Sequence, residues 1–367
     1  MSITRMSVLL LSVPFLFLNP LHCDSKNKMV ATINVGVTPA GIAITPNSKT
    51  AYVANNNNYG IAGQDTVSVL DLKHNMLKTT ISHSSFYEPY TITLNANGSR
   101  AYVTNSNSTT VTVIDTQCNV VINVIDGFDG PSGFVITPNG KKAYVNNYGG
   151  PEGLQSGNGK TVRVVDLMTN TIVGAPIQVG LAPAAMAITP DGKYVYVINY
   201  EDGNPGTGTI SIIDTLTDTV IKTINGFSGP FGISITPDGK YAYVTNFGSN
   251  NFAPFGTTVS VVKLSTNTIK DTITVGIQPS GIAITPNGKY AYVSNYNTLY
   301  ADGAPQFEDL TAGRGTVNII KLKDNEVIEP TIPVDQSPAN IAIAPNGKYA
   351  YVTNYTSNTV NVIQLKD

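Results

Sequence analysis

Tryptophan is absent from this 367-residue chain, histidine occurs three times, cysteine twice, and charged residues make up only 13%, against about 25% in an average soluble protein. Each shortage removes a class of function. Two cysteines, Cys23 and Cys118, do not make a disulfide scaffold. His22, His74 and His83 lie where no two of them are expected to meet, so neither a histidine metal centre nor a Ser-His-Asp relay is expected. The formal net charge of −2 argues against a nucleic-acid partner, which would call for a basic surface.

Long apolar runs are also missing, apart from the N-terminus. There Arg5 precedes the almost wholly apolar stretch Met6 to Leu18, a length suited to an export signal and too short to span a bilayer. Residues 1–23 are therefore expected to be a signal peptide and the mature chain to begin near Asp24, in the periplasm, at the cell surface or outside the cell. No membrane span is expected in the mature chain. Pro20-Leu21-His22 departs from the small residues that precede a lipidated cysteine, so lipidation of Cys23 is the lesser reading. Cleavage after Cys23 would leave Cys118 as a single thiol.

What the chain has instead is glycine, proline, asparagine and threonine, arranged in a repeat. Tyr-Val-x-Asn occurs seven times, beginning at Tyr52, Tyr102, Tyr144, Tyr196, Tyr243, Tyr292 and Tyr351. Before each copy lies a turn such as Thr137-Pro138-Asn139-Gly140. Proline pre-sets the turn's φ, and asparagine and glycine tolerate the left-handed conformation that closes it. After each copy come two alternating segments, such as Thr258 to Val262 and Thr268 to Ile273. Each unit reads as four short strands, A to D, and seven such units predict an all-β, seven-bladed β-propeller over residues 29–367. Met29 to Val35 is a D strand with nothing before it, and Thr359 to Leu365 a C strand with nothing after it. The N-terminal strand is expected to complete blade seven and close the ring, burying Val30, Ile33 and Val35.

These copies and their Thr-Pro-Asn/Asp-Gly-Lys turns resemble the YVTN β-propeller repeat family from about Met29 to the C-terminus. Blade two departs at Asn95 to Arg100, blade one has Ser48 in place of the turn glycine, and blade seven has Ala344 for threonine. The resemblance implies a propeller, usually exported, but no single activity. Related propellers include lactonases and lyases as well as non-catalytic binders.

Chemistry must come from particular residues. Gly159-Lys160-Thr161 lacks the earlier glycine and following helix of a phosphate loop, and Glu201 to Asn204 lacks the spacing of a calcium loop. No catalytic residue, metal or cofactor is assigned. The B–C links vary most in length and share one face with the D–A links, which marks that face for binding. Its residues mix carboxylates with aromatics. The binding candidates are Tyr300, Asp302, Phe307, Glu308, Asp309 and Arg314 in the blade-six insertion, Tyr296 to Gly315, together with Phe86, Tyr87, Phe252 and Phe255. An aromatic also follows the motif asparagine in five blades: Tyr148, Tyr200, Phe247, Tyr296 and Tyr355. Its regular recurrence points to packing. On the opposite face a ring of turn cations is expected, at Lys49, Arg100, Lys142, Lys193, Lys240, Lys289 and Lys348, most simply as solvated hairpin residues. The expected function is a monomeric, non-catalytic binding or scaffold module for a protein, glycan or small ligand. The alternative is a lactonase-like hydrolase or lyase with its site at the central channel mouth.

Overall fold

Each Tyr-Val-x-Asn motif forms the second strand of a four-stranded antiparallel sheet. The computed structural model describes residues 27–58, 60–149, 159–201, 206–248, 255–297 and 314–365. These form seven such sheets and, among the described residues, no helix. Blade one shows the plan: strand A Pro39–Ile44, strand B Thr50–Asn55, strand C Thr66–Asp71 and strand D Met76–Ser82, paired in that order. The A strands of successive blades pack against one another, and that of blade seven (Pro338–Ile343) meets that of blade one. The ring is therefore closed, with the A strands nearest its axis.

Burial follows this radial order. Ala51, Tyr52, Val53 and Ala54 of strand B are all essentially inaccessible, because the strand is covered on both faces by neighbouring blades. Each D strand, at the rim, buries a single isoleucine near its end: Ile33, Ile81, Ile125, Ile177, Ile224, Ile273 and Ile332.

The motif residues hold these layers together. In all seven blades the motif asparagine donates through Nδ2 to a threonine in the first half of strand C, as in Asn55 to Thr66 (2.9 Å) and Asn295 to Thr316 (3.0 Å). The motif tyrosine reaches into the next blade. Tyr52, Tyr196 and Tyr243 donate to Asn119, Asn267 and Asn325 at 2.6–2.7 Å, each acceptor a C–D turn residue with positive φ. Tyr144 donates likewise to Asp218. Where A strands cross between blades the approach is close: a Cβ on Gly41 would lie 2.5 Å from the Tyr90 carbonyl oxygen.

The N-terminal strand (Lys28–Asn34) pairs with strand C of blade seven (Thr359–Gln364) and completes that sheet. Asn27 then takes the place of a C–D turn residue and accepts from the Tyr292 hydroxyl at 2.7 Å. Ile33 is buried as expected, at 3% exposure. Val30 is not: it is 41% exposed, and Val35 is only partly buried. The reason is the rim position, where most side chains of the strand face water.

Candidate functional site

Strand A begins where strand B ends, so the D–A and B–C links emerge together at one end of the channel. Each A strand starts at a proline, and the residue before it has positive φ in every blade: Thr38, Glu88, Gly130, Ala182, Gly229, Gln278 and Ser337. A following proline disfavours the right-handed helical region, and here the left-handed one turns the carbonyl toward strand B. In all seven blades that carbonyl accepts the N–H of the residue after the motif asparagine. One backbone device thus fixes seven equivalent side chains around the mouth: Asn56, Ser106, Tyr148, Tyr200, Phe247, Tyr296 and Tyr355.

Five of the seven are aromatic. Tyr200 and Phe247 are buried, while Tyr148, Tyr296 and Tyr355 are half-buried. They are not isolated in their own blades. The Phe247 ring lies 5.3 Å from Phe231 and 6.0 Å from Tyr296, centroid to centroid, and the Tyr200 hydroxyl donates to the Gly248 carbonyl at 2.7 Å. Tyr90 joins them from strand A of blade two (Pro89–Leu94). Burial holds its hydroxyl pKa well above the ordinary phenol value, and Tyr148, Tyr355 and Tyr296, from three other blades, raise it further. Tyr90 and Phe231 occupy the second position of strand A, where the other blades carry Ala40, Ser132, Ala184, Ser280 and Ala339. The aromatics that follow the motif therefore do more than pack within a blade: together with Tyr90 and Phe231 they line the mouth.

Blades one and two complete the circle with polar groups. Asn56 is 2% exposed; its Oδ1 is 3.5 Å from the Tyr355 hydroxyl and its Nδ2 has no hydrogen-bond partner. The Ser106 hydroxyl donates to the Glu88 carbonyl (3.0 Å), and Asn107 Nδ2 donates to the Glu88 carboxylate (3.1 Å). The Asp65 carboxylate accepts from the Glu88 backbone N–H (2.8 Å) and from Asn57 Nδ2 (3.2 Å).

The candidates read from the sequence are placed unevenly. Tyr300, Asp302, Phe307, Glu308, Asp309 and Phe252 lie outside the described residues. Arg314 is exposed, and its carbonyl accepts from Asn297 Nδ2. Tyr87 is 56% exposed, whereas Phe86 is buried at 4% in the core between blades one and two, edge-on to His83. Phe255 is half-buried in strand C of blade five, opposite Gly248. Asn56 gave no signal in the sequence, and Tyr90 and Phe231 belong to the interleaved aromatics of the loop face without standing among the binding candidates; aligning the second A-strand positions shows them as the two large residues among small ones.

His74 and His83 sit beyond opposite ends of strand D of blade one, bonded to Asp71 and Ser85. On the far face the cation ring is less regular than expected. Lys49, Lys141, Lys193, Lys240, Lys289 and Lys348 share one turn position, where blade two has Ser99; Arg100 and Lys142 instead open their B strands. In each blade the backbone N–H at the shared position donates to the asparagine or aspartate two residues earlier, a local turn bond. A cleft of about 550 Å³ between blades four and five opens on this far face, bordered by Tyr194, Lys240 and Tyr241.

Among the described residues no helix is long and apolar enough to cross a membrane. No protein-family profile matches the chain. A PE-PGRS family protein of Mycobacterium tuberculosis, PE_PGRS18, is 45% identical over 60 residues, 16% of this chain and 13% of that protein. The seven-bladed beta-propeller protein Rv1057 of the same organism is 26% identical over 140 residues, 38% of this chain and 33% of that one. The chain thus matches a third or less of the length of these relatives. Kuenenia stuttgartiensis hydrazine synthase superposes with a TM-score of 0.73 at 22% identity, over 90% of this chain and 96% of that one. At that identity the likeness is one of fold, and the chain is a seven-bladed β-propeller.

Proposed function

We propose that this propeller is an exported, YVTN-type, non-catalytic binding module whose ligand sits over the channel mouth on the loop face. The observation that carries the reading is the meeting there of aromatic side chains from six blades, at positions where the repeat itself accepts alanine, serine or asparagine. The fold does not require rings at those places, and half-buried aromatics are effective contact residues. The blade-six insertion leaves strand B at Tyr296, within this mouth, so its Tyr300, Phe307 and Arg314 belong to the same proposal. Export rests on Arg5 and the apolar stretch that follows it. Intact mass of the protein recovered outside the cytoplasm is expected to begin near Asp24; a full-length cytoplasmic chain would overturn export.

The binding reading is tested with intact cells of the source organism and labelled protein. Tyr148→Ser, Tyr296→Ser and Tyr355→Asn, combined, copy residues already present at this position in blades one and two. The triple variant is expected to melt with the wild type and lose retention on the cells. Full retention would overturn the mouth as the site. Replacing residues 297–314 by blade two's short link, Ser106 to Thr109, separately tests the contribution of the insertion.

A further inference from the structure

Resting on that reading, we propose that the mouth holds one neutral sugar ring, packed against tyrosine and hydrogen-bonded by the Asn56 amide. Charge is the first argument. Neither the seven positions that follow the motif asparagines nor the seven second positions of strand A carry an ionisable acid or base other than tyrosine. The charged side chains that complete the circle are the Asp65 and Glu88 carboxylates, so an anionic ligand held there would lose hydration without gaining a counter-ion.

The second argument is Asn56. Its side chain is 2% exposed and its Nδ2 has no partner. Buried amide donors are nearly always satisfied, so a ligand that brings an acceptor oxygen relieves a standing cost. The Tyr355 hydroxyl, 3.5 Å from Asn56 Oδ1, marks the amide as part of the mouth.

The third argument is the kind of ring that surrounds it. Tyrosine hydroxyls both donate and accept, while the ring offers an apolar face. Tyr90 is close enough to Tyr148, Tyr296 and Tyr355 for each to affect its ionisation. A sugar presents the matching combination, hydroxyls at its edge and C–H groups on its face. A quaternary ammonium would suit the rings but would leave the Asn56 donor unpaired. A purely apolar ligand would leave the Asn56 donor unpaired.

The test is calorimetric titration of the full chain with maltose, cellobiose, lactose and N,N′-diacetylchitobiose, and with choline as the cationic probe. At least one disaccharide is expected to bind and choline is not. Tyr90→Ala copies Ala40, Ala184 and Ala339 in the equivalent position, so it is expected to fold; it should weaken binding about tenfold. Asn56→Ala should weaken it roughly three- to tenfold, and Tyr90→Phe less than Tyr90→Ala. Matching melting curves separate lost binding from lost folding. Choline binding without sugar binding overturns the ligand class and leaves the mouth as the site. Sugar binding unchanged in Tyr90→Ala and Asn56→Ala overturns the location. No binding by any of the four disaccharides overturns the proposal, and the cell-retention result of the triple variant then decides the fate of the mouth independently.

Discussion

Blades one and two meet the channel mouth with Asn56, Ser106, Asn107 and the Asp65–Glu88 pair; blades three to seven meet it with Tyr148, Tyr200, Phe247, Tyr296 and Tyr355. The backbone beneath the two sectors is the same. In both, a left-handed residue before the A-strand proline accepts the same N–H, and in both the motif asparagine bonds a threonine of strand C. Because one scaffold carries amide, hydroxyl and phenol at equivalent places, folding does not dictate the difference. Residue choice at the mouth is free of the constraint that fixes Tyr-Val-x-Asn one step away.

The comparison depends first on a closed ring, since Asn56 meets Tyr355 across the junction of blades one and seven. Deleting residues 29–35 removes a whole strand, the buried Ile33 and the ladder to Thr359–Gln364. Burial of one such isoleucine contributes about 1.5–3 kcal/mol, and the exposed edge left on blade seven adds to the loss. Thermal denaturation is expected to show a loss of several kcal/mol, a large share of a typical 5–15 kcal/mol, or no cooperative transition. An unchanged melting temperature would mean that this strand does not close the ring.

High pH should act on both sectors alike, through the motif tyrosines beneath them. Burial pushes Tyr52, Tyr196, Tyr243 and Tyr351 from 10.0 up to about 12. The folded state keeps these protons after the unfolded state has released them, so their contribution is whole below pH 10 and declines as pH rises from 10 to about 12. Denaturant midpoints measured across this range are expected to be level up to pH 10 and then fall. A midpoint that rises above pH 10 would contradict the burial of these hydroxyls.

Two neighbouring substitutions sharpen the contrast between scaffold and mouth. Asn295→Ala removes a buried amide whose Nδ2 bonds Thr316 and Asn318, and is expected to cost about 1–3 kcal/mol. Tyr296→Ser, the next residue, is expected to cost less and to affect binding instead. Equal losses of stability would break the distinction. The smallest effect is expected at Ser48, the one non-glycine at the left-handed position of an A–B turn, with φ 57°. Ser48→Gly relieves about 1–2 kcal/mol of backbone strain but removes the bond from the Asn346 N–H to Ser48 Oγ. A net change within about 1 kcal/mol is expected in chemical denaturation.

Blade number, strand order and ring closure were legible in the sequence because the motif returns in register and the two ends are complementary. Burial along the closing strand was not: Val30 looks like Ile33 in sequence, and only its rim position leaves it in water. The cations on the far face were misaligned in two blades because Ser99 interrupts the series and Lys141-Lys142 offers two choices; one residue reverses the direction of a strand side chain. The loop face was legible from its variable links, but the convergence of its aromatics at the mouth was not, for a different reason. Its aromatics are spread from Tyr90 to Tyr355 and are brought together by the circular closure of seven sheets. The longest insertion, by contrast, was conspicuous in the sequence, and 298–313 lie outside the described residues.

The central claim is that side chains at the mouth serve binding and those one step below serve folding. Exchanging the sectors at the closest junction tests it: the double variant Asn56→Tyr/Tyr355→Asn keeps the same two groups at the mouth and reverses their blades. Melting temperature and retention on source cells, measured on the same preparations, are the readout. The account predicts a melting temperature close to wild type with retention strongly reduced. Wild-type retention, or a collapse of stability comparable to that of Asn295→Ala, would contradict it.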